Sequence, residues 1–243
     1  MKEALTLQQL VDASRRIVFF GGAGVSTESG IPDFRSSDGL YRRAYRFPPE
    51  EVVSHDFFHR HPEEFFAFYK EHMLALDARP NPAHLALAEL ERCGRLAAVI
   101  TQNIDGLHQM AGSRHVLELH GSVHRNTCLA CGKTFDAGYV KQARGVPRCA
   151  CGGIVKPDVV LYGEPLDARV IQQSIDAIRE ADALIIGGTS LAVYPAAGFI
   201  DSFKGRFLAV INRDATPRDE QADLVIREPI GRVLGGLCIL PSS

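Results

Sequence analysis

Ile17-Val18-Phe19-Phe20-Gly21-Gly22-Ala23-Gly24 decides the reading of this chain, because four apolar residues empty directly into a glycine-rich turn. A short apolar run of this kind reads as a buried strand, and a glycine turn behind it lets backbone N–H groups approach a phosphate. A nucleotide is the expected ligand, although a glycine-rich surface turn would look the same if this loop stood alone. The spacing departs from the dinucleotide fingerprint of hydride-transferring enzymes, since Thr27 stands where a third glycine would close helix against strand. No acid follows about 20 residues on, where a ribose would be fixed. That region reads Tyr41-Arg42-Arg43-Ala44-Tyr45-Arg46. The nucleotide is therefore expected to be handled as a substrate and not as a hydride carrier.

Outward from this stretch, further strand-like runs occupy 96–100, 116–119, 183–186 and 207–211, while 62–76, 82–93, 168–180 and 195–203 carry helical spacing. Alternation of this kind predicts an α/β fold, a Rossmann-like, mainly parallel sheet with helices on both faces. Each run is followed by a polar cluster: Gly21 to Gly24, Thr101 to Asp105, His120-Gly121, Gly187 to Ser190, and Asn212 to Asp214. Open α/β sheets bind ligands at the carboxyl ends of their strands, so these clusters are expected to share one crevice. Two segments interrupt the alternation and are expected to form a smaller lobe. One is a helical insert at 36–84; the other is a cysteine module at 122–156.

The chain has 243 residues, a formal net charge of −2 and 23% charged residues, which gives no general attraction to nucleic acid or anionic membrane. No apolar run approaches the ~20 residues of a membrane span, and Met1-Lys2-Glu3-Ala4 does not open a leader pattern. A soluble, cytoplasmic protein without nucleic-acid or membrane partners is expected. A monomer is expected as well, since every long apolar stretch has a core assignment.

Four of the six cysteines form two close pairs, Cys128-x-x-Cys131 and Cys149-x-Cys151, each followed by glycine. Two such pairs across a loop converge four thiolates on Zn²⁺, and four protein ligands leave no position open for water. The expected metal is structural zinc. The second pair is one residue shorter than the common knuckle, which narrows its chelate. A nucleic-acid ribbon would need more basic and aromatic residues than Arg125, Lys133, Lys141, Arg144 and Arg148.

At the strand ends, the amides of Gln102 and Asn103 suit a carboxamide or ribose hydroxyls, and Asp105 suits either an acceptor role or a helix cap. His120 ends an alternating stretch with Gly121 leaving space beside it. In that crevice an imidazole suits general acid/base work near neutral pH.

In combination these motifs resemble the sirtuin family of NAD-dependent protein deacylases, most closely its small bacterial and archaeal members. The resemblance covers nearly the whole chain. It rests on Gly22 to Ser26, Gly30 to Arg35, Thr101 to Asp105, His120-Gly121, the four cysteines, Lys156 to Glu164, Gly188 to Leu191, and Ile211-Asn212.

The resemblance implies a single catalytic core over 1–243, an NAD co-substrate and acetyl-lysine proteins or peptides as partners. It would place Gly22, Ala23, Gly24, Asp33, Phe34 and Arg35 along the diphosphate and nicotinamide-side ribose. Gln102, Asn103, Ile104 and Asp105 would form the nicotinamide pocket. Gly188, Thr189, Ser190 and Asn212 would hold the adenosine half, with Ile230 under the adenine. Val160, Leu161, Tyr162, Gly163 and Glu164, with Val193 and Tyr194, would pair with an extended peptide, and Val160 and Phe34 would wall the acyl-lysine tunnel. His120 would be the general base, and Asn103, the other catalytic residue implied, would touch the ribose or an ordered water. The implied products are free lysine, nicotinamide and O-acetyl-ADP-ribose. An ADP-ribosyltransferase, or a deacylase of other acyl groups, is the alternative. Family members that remove succinyl or malonyl groups resemble one another in a Tyr-x-x-Arg pair; this chain has Tyr69-Lys70-Glu71-His72, with His72 or Lys70 as partial substitutes for the arginine.

Overall fold

The computed structural model describes residues 5–33, Gly39 and residues 46–239. Its strands are β1 Ile17–Gly21, β2 Leu96–Thr101, β3 Val116–Glu118, β4 Gly121–Cys128, β5 Thr134–Phe135, β6 Val155–Val159, β7 Ala183–Gly187, β8 Phe207–Ile211 and β9 Leu224–Ile226. Its α-helices are α1 Leu7–Ala13, α2 Pro49–Val52, α3 His55–Arg60, α4 Pro62–Phe68, α5 Pro82–Arg92, α6 Leu107–Met110, α7 Ala137–Gln142, α8 Ala168–Glu180 and α9 Ile230–Gly235.

All five residues of β1 are buried, and their alternation feeds two separate cores. Ile17 and Phe19 point into a cluster with Leu10 of α1, Leu87 and Leu90 of α5, and Leu234 of α9. Val18 and Phe20 point the other way, against Ile178 of α8 and Phe199 and Ile200 beyond it. A strand covered on both faces must be apolar throughout, which is why its sequence shows a continuous run and no polar alternation. The described residues place six parallel strands in the order β3-β2-β1-β7-β8-β9, as expected for a doubly wound sheet. The order reverses between β1 and β7. At such a switch point a crevice is expected at the carboxyl ends of the strands.

A third core joins the aromatic insert to the cysteine module: Phe57, Phe58, Phe65, Phe66 and Tyr69 pack with Val123, Val140, Val155, Val159 and Leu161. The rings of Phe58, Phe65 and Phe66 meet edge to face, with centroids 5.0 to 5.9 Å apart. Beneath them, β4 pairs antiparallel with β5 and β6 in a small second sheet.

Several elements differ from the sequence expectation. The helix expected over 62–76 stops at Phe68 and widens into a single π turn over Tyr69–Met73. The segment expected as a helix over 195–203 is a 3₁₀ turn over Ala196–Ser202. The small sheet, α1, α9 and β9 have no counterpart in the periodicity reading. β4 reads Gly-Ser-Val-His-Arg-Asn-Thr-Cys, a polar string that becomes a strand only because β5 and β6 supply its hydrogen bonds.

Candidate functional site

The loop after β1 makes two short 3₁₀ turns, Ala23–Val25 and Thr27–Ser29, where a dehydrogenase would begin a long helix. Its glycines serve a different contact. A Cβ on Gly24 would lie 2.8 Å from the Gly188 Cα, and one on Gly188, whose φ is +59°, would lie 2.3 Å from the Val25 nitrogen. The loops after β1 and β7 therefore touch backbone to backbone, joined by Gly22 N–H to Gly187 O (3.2 Å) and Gly24 N–H to Gly188 O (2.8 Å). This explains why Thr27 is tolerated where the third glycine was missing.

A cleft of about 660 Å³ runs along this seam, lined among others by Ala23, Gly24, Asp33, Gln102, Asn103, Ile104, Asp105, His120, Gly188, Thr189, Ser190 and Asn212. In its floor the Asn103 amide donates to Ser26 Oγ (3.0 Å), and Ser26 donates to Asp105 Oδ2 (2.7 Å). Asp105 Oδ1 accepts from the Leu107 N–H (2.9 Å), so one carboxylate caps α6 and walls the cleft at once. Gln102 Nε2 donates to Thr189 Oγ1 (3.1 Å) and ties the loops after β2 and β7 together. His120 follows β3, with Nδ1 2.9 Å from the Gln102 carbonyl. A carbonyl only accepts, so Nδ1 carries the proton and Nε2 keeps its lone pair. Burial pushes the imidazole below its ordinary value, partly opposed by the Gln102 carbonyl.

The other end of the cleft is lined by Val160, Leu161, Tyr162, Gly163, Glu164, Val193 and Tyr194, with His72 and Met73 brought in by the π turn. Two expected residues lie elsewhere. Gly22 is not on the cleft surface; it sits behind it, where a Cβ would meet Thr189 at 2.8 Å. Ile230 is a core residue, 4% exposed, its Cδ1 against Gly187 at the first turn of α9. Phe34 and Arg35 lie outside the described residues. Sequence reasoning named Ser26 only within a motif, although it links Asn103 to Asp105; its place beside a glycine turn was the available signal.

A model of the Sir2 family matches residues 22–195, spanning the glycine loops, the amide cluster, His120 and the cysteines. This chain belongs to the Sir2 family. It is 59% identical over 233 residues to an NAD-dependent protein deacetylase of Clostridium perfringens (strain 13 / Type A), covering 94% of this chain and 96% of that protein. The NAD-dependent protein deacetylase of Clostridium acetobutylicum is 60% identical over 232 residues, with 94% and 95% covered. A solved Sir2 variant with deacetylated p53 peptide and 3′-O-acetyl-ADP-ribose has a TM-score of 0.86 at 38% identity, over 95% of this chain and 96% of that one. A Sir2 homologue–NAD complex has a TM-score of 0.85 at 39% identity, over 94% and 90%.

The sirtuin cysteine module suits a metal by its geometry. All four Sγ atoms of Cys128, Cys131, Cys149 and Cys151 lie within 4.8 Å of one another. Cys128 to Cys151 is 3.5 Å and Cys131 to Cys149 is 3.6 Å. A Zn–S tetrahedron with bonds of about 2.3 Å requires edges of about 3.8 Å, so these thiols need only small shifts to hold Zn²⁺. The shortened second pair is accommodated by the turn that bonds Cys149 N–H to Gly153 O at 2.8 Å. The Cys131 and Ala130 N–H groups pull the Cys128 thiol down, while the Gly153 N–H is outweighed by the Cys131, Cys128 and Cys149 thiols, which push Cys151 up, so without a cation the quartet shares its charge unevenly.

Behind the cleft, the sirtuin fold buries two histidines against each other. Asn81 opens α5 in a capping box, its N–H donating to His84 Nδ1 (3.2 Å) and its amide donating to Val25 O (2.7 Å). The His84 and His108 rings lie 4.7 Å apart. Among the described residues, His84 Nε2 and both His108 nitrogens have no hydrogen-bond partner. Burial drives His84 to about 4, opposed by Asp105, and burial with the neighbouring His84 drives His108 to about 3. Both folded values lie below the ordinary 6.5, so the unfolded chain binds more protons between them. Their contribution is complete above that ordinary value and is lost as pH falls toward the folded values. Urea titrations are expected to show stability declining from about pH 6.5 to about pH 4, with a shallower slope in His108→Gln; a parallel slope in the variant would exclude this origin.

Proposed function

We propose that this protein is an NAD-dependent protein-lysine deacetylase that transfers the acetyl group of an acetyl-lysine peptide to ADP-ribose, releasing nicotinamide. One observation carries the reading: a single cleft joins the paired glycine loops, the amide and carboxylate floor and the main-chain edge at residues 160–164, with His120 at their meeting point. The Clostridium relatives bear the name of this activity, and the neighbouring Sir2 structure contains both a peptide product and an acetyl-ADP-ribose. NAD, when bound, supplies the electrophilic ribose carbon and the nicotinamide leaving group.

The residues divide the work by their chemistry. Gly24 and Gly188 let backbone approach the diphosphate, while Ser190 and Asn212 serve the adenosine half. Asn103, Ser26 and Asp105 form a donor chain that orients the Asp105 carboxylate toward a carboxamide. His120 holds its proton at Nδ1 on the Gln102 carbonyl, so Nε2 is the base that takes a proton from a ribose hydroxyl. Val160, Ile104 and Met73 present an apolar wall that keeps water from the reacting carbon. The protein acts as a monomer in the cytoplasm on peptide substrates, without nucleic-acid or membrane partners. Among the described residues no helix is long and apolar enough to cross a membrane.

The acyl end of the cleft favours acetyl. Tyr69 is wholly buried, stacked on Phe65, and its hydroxyl has no partner among the described residues. Lys70 Nζ is turned away, donating to the carbonyls of Ala143 and Gly145 at 2.6 Å. His72 alone of these three lines the cleft, so an acyl carboxylate finds no permanent cation from this turn. Burying that carboxylate costs several kcal/mol, so kcat/KM for an acetyl-lysine peptide should exceed that for its succinyl counterpart by roughly 10²-fold. Mass spectrometry of both peptides with NAD tests the whole reading. Equal rates would remove the acetyl preference, and a peptide gaining ADP-ribose in place of losing acetyl would replace deacetylation with ADP-ribosyl transfer.

A further inference from the structure

The edge formed by residues 160–164 is held from behind by a partly buried ion pair that the chemistry above does not use. Along this edge Val160 N–H donates to His120 O (2.9 Å), Tyr162 N–H to Val53 O (3.0 Å), and Tyr162 O accepts from His55 N–H (2.9 Å). Among the described residues, the Val160 carbonyl and both main-chain groups of Gly163 make no hydrogen bond. Those are the groups an extended peptide would pair with. Gly163, at φ +89°, makes the turn closed by Glu164 N–H to Leu161 O at 2.9 Å.

The resemblance places Glu164 in the segment that pairs with the peptide, and its carboxylate folds back under the edge. Oε2 accepts from Leu161 N–H (2.9 Å) and from Lys156 Nζ (3.1 Å), and Oε1 lies 3.1 Å from His55 Nδ1. Lys156 also donates to Val159 O (3.1 Å) and Pro157 O (3.3 Å), and its ammonium stands 5.9 Å above the Phe58 ring. The two side chains are only 15% and 18% exposed, too sheltered for solvent to screen the pair as it does on a surface. Burial would raise the Glu164 carboxyl, but the Leu161 N–H, His55 and Lys156 outweigh it and hold the group below the usual carboxylate range.

We propose that Lys156 is a positioning residue for substrate: through Glu164 and the Val159 carbonyl it holds residues 160–164 in the conformation that pairs with the peptide. The proposal rests on the reading of this edge as the peptide site. Lys156 touches no reacting atom, so its removal should weaken peptide binding and leave the chemical step alone. A loosened edge must be ordered at the expense of binding free energy, and about 1.4 kcal/mol of lost preorganisation is tenfold in affinity.

The test is steady-state kinetics of the zinc-loaded full chain and its Lys156→Met and Lys156→Arg variants, with NAD and two substrates. One is an acetyl-lysine peptide long enough to lie along the edge; the other is Nε-acetyl-lysine amide, which is too short to pair with it. Lys156→Met should raise the peptide KM about tenfold, keep kcat and the KM for NAD within about twofold, and leave the single-residue substrate unaffected. Lys156→Arg should restore the peptide KM. An unchanged peptide KM in Lys156→Met, an equal loss in the KM for NAD, or no rescue by arginine would overturn the positioning role. If Lys156→Met loses its zinc lobe, Lys156→Gln, which keeps a donor at this position but removes the charge, decides by the same measurements. A parent enzyme that uses both substrates equally well would instead overturn the reading of this edge as the peptide site.

Discussion

His120→Ala is expected to fold as the parent does and to lose acetyl transfer by about 10²- to 10⁴-fold, the usual contribution of a positioned general base. Among the described residues the imidazole makes one hydrogen bond, to the Gln102 carbonyl, and it belongs to none of the three apolar cores, so its loss removes little packing. Exchange of free nicotinamide into NAD precedes the proton transfer assigned to His120, so exchange should survive better than product formation. The parent enzyme should also show an acid limb. A base must be neutral to act, and burial lowers the His120 pKa, so the rate should fall with decreasing pH only below the ordinary imidazole value of 6.5. A variant that turns over acetyl-peptide at the parent rate, or a parent whose rate falls already above that value, would remove His120 from this role.

Cys128→Ser or Cys149→Ser is expected to release the metal and unfold the module carrying β4, β5, β6 and α7. Structural zinc contributes on the order of 10 kcal/mol to folding in isolated fingers, more than the small sheet's three strands can replace. Activity should fall with it, although no cysteine lines the cleft. The coupling runs through the shared core, where Val155 and Val159 of β6 pack with Phe58 and Phe65 of the insert, and β6 leads directly into residues 160–164. Elemental analysis, thermal melting and kinetics on the same samples check this. Freshly purified parent protein without zinc, or a serine variant with parental melting, would count against the module as a metal-held unit.

The large sheet was legible because its strands are covered on both faces. Burial leaves no room for polar residues in β1 or β7, so the runs at 17–20 and 183–186 stand out without knowledge of their neighbours. The strand-end clusters were legible for a related reason, since polar residues right behind an apolar run mark where the chain leaves the sheet. The small sheet was not legible. β4 is polar and β5 is only two residues long, and β4 takes its strand character from pairing with β5 and, further along the chain, with β6. The π turn at Tyr69–Met73 was not legible either, since the helical spacing simply continues through it.

By itself, the sequence determined the fold class, the cysteine quartet, the family resemblance and the identity of most residues around the cleft. These depend on local composition and spacing, which a linear chain displays. Only the tertiary structure decided which atoms of those residues are available. It buried Ile230 in a core, turned Lys70 onto two carbonyls of the cysteine module, and folded the Glu164 carboxylate back onto Lys156 and His55. It also paired Gly24 with Gly188, which explains the departure from the dinucleotide spacing. The physical reason is common to all four: each depends on contacts between residues distant in sequence or turned by a fold, and side-chain direction follows from packing and hydrogen bonding, not from residue type.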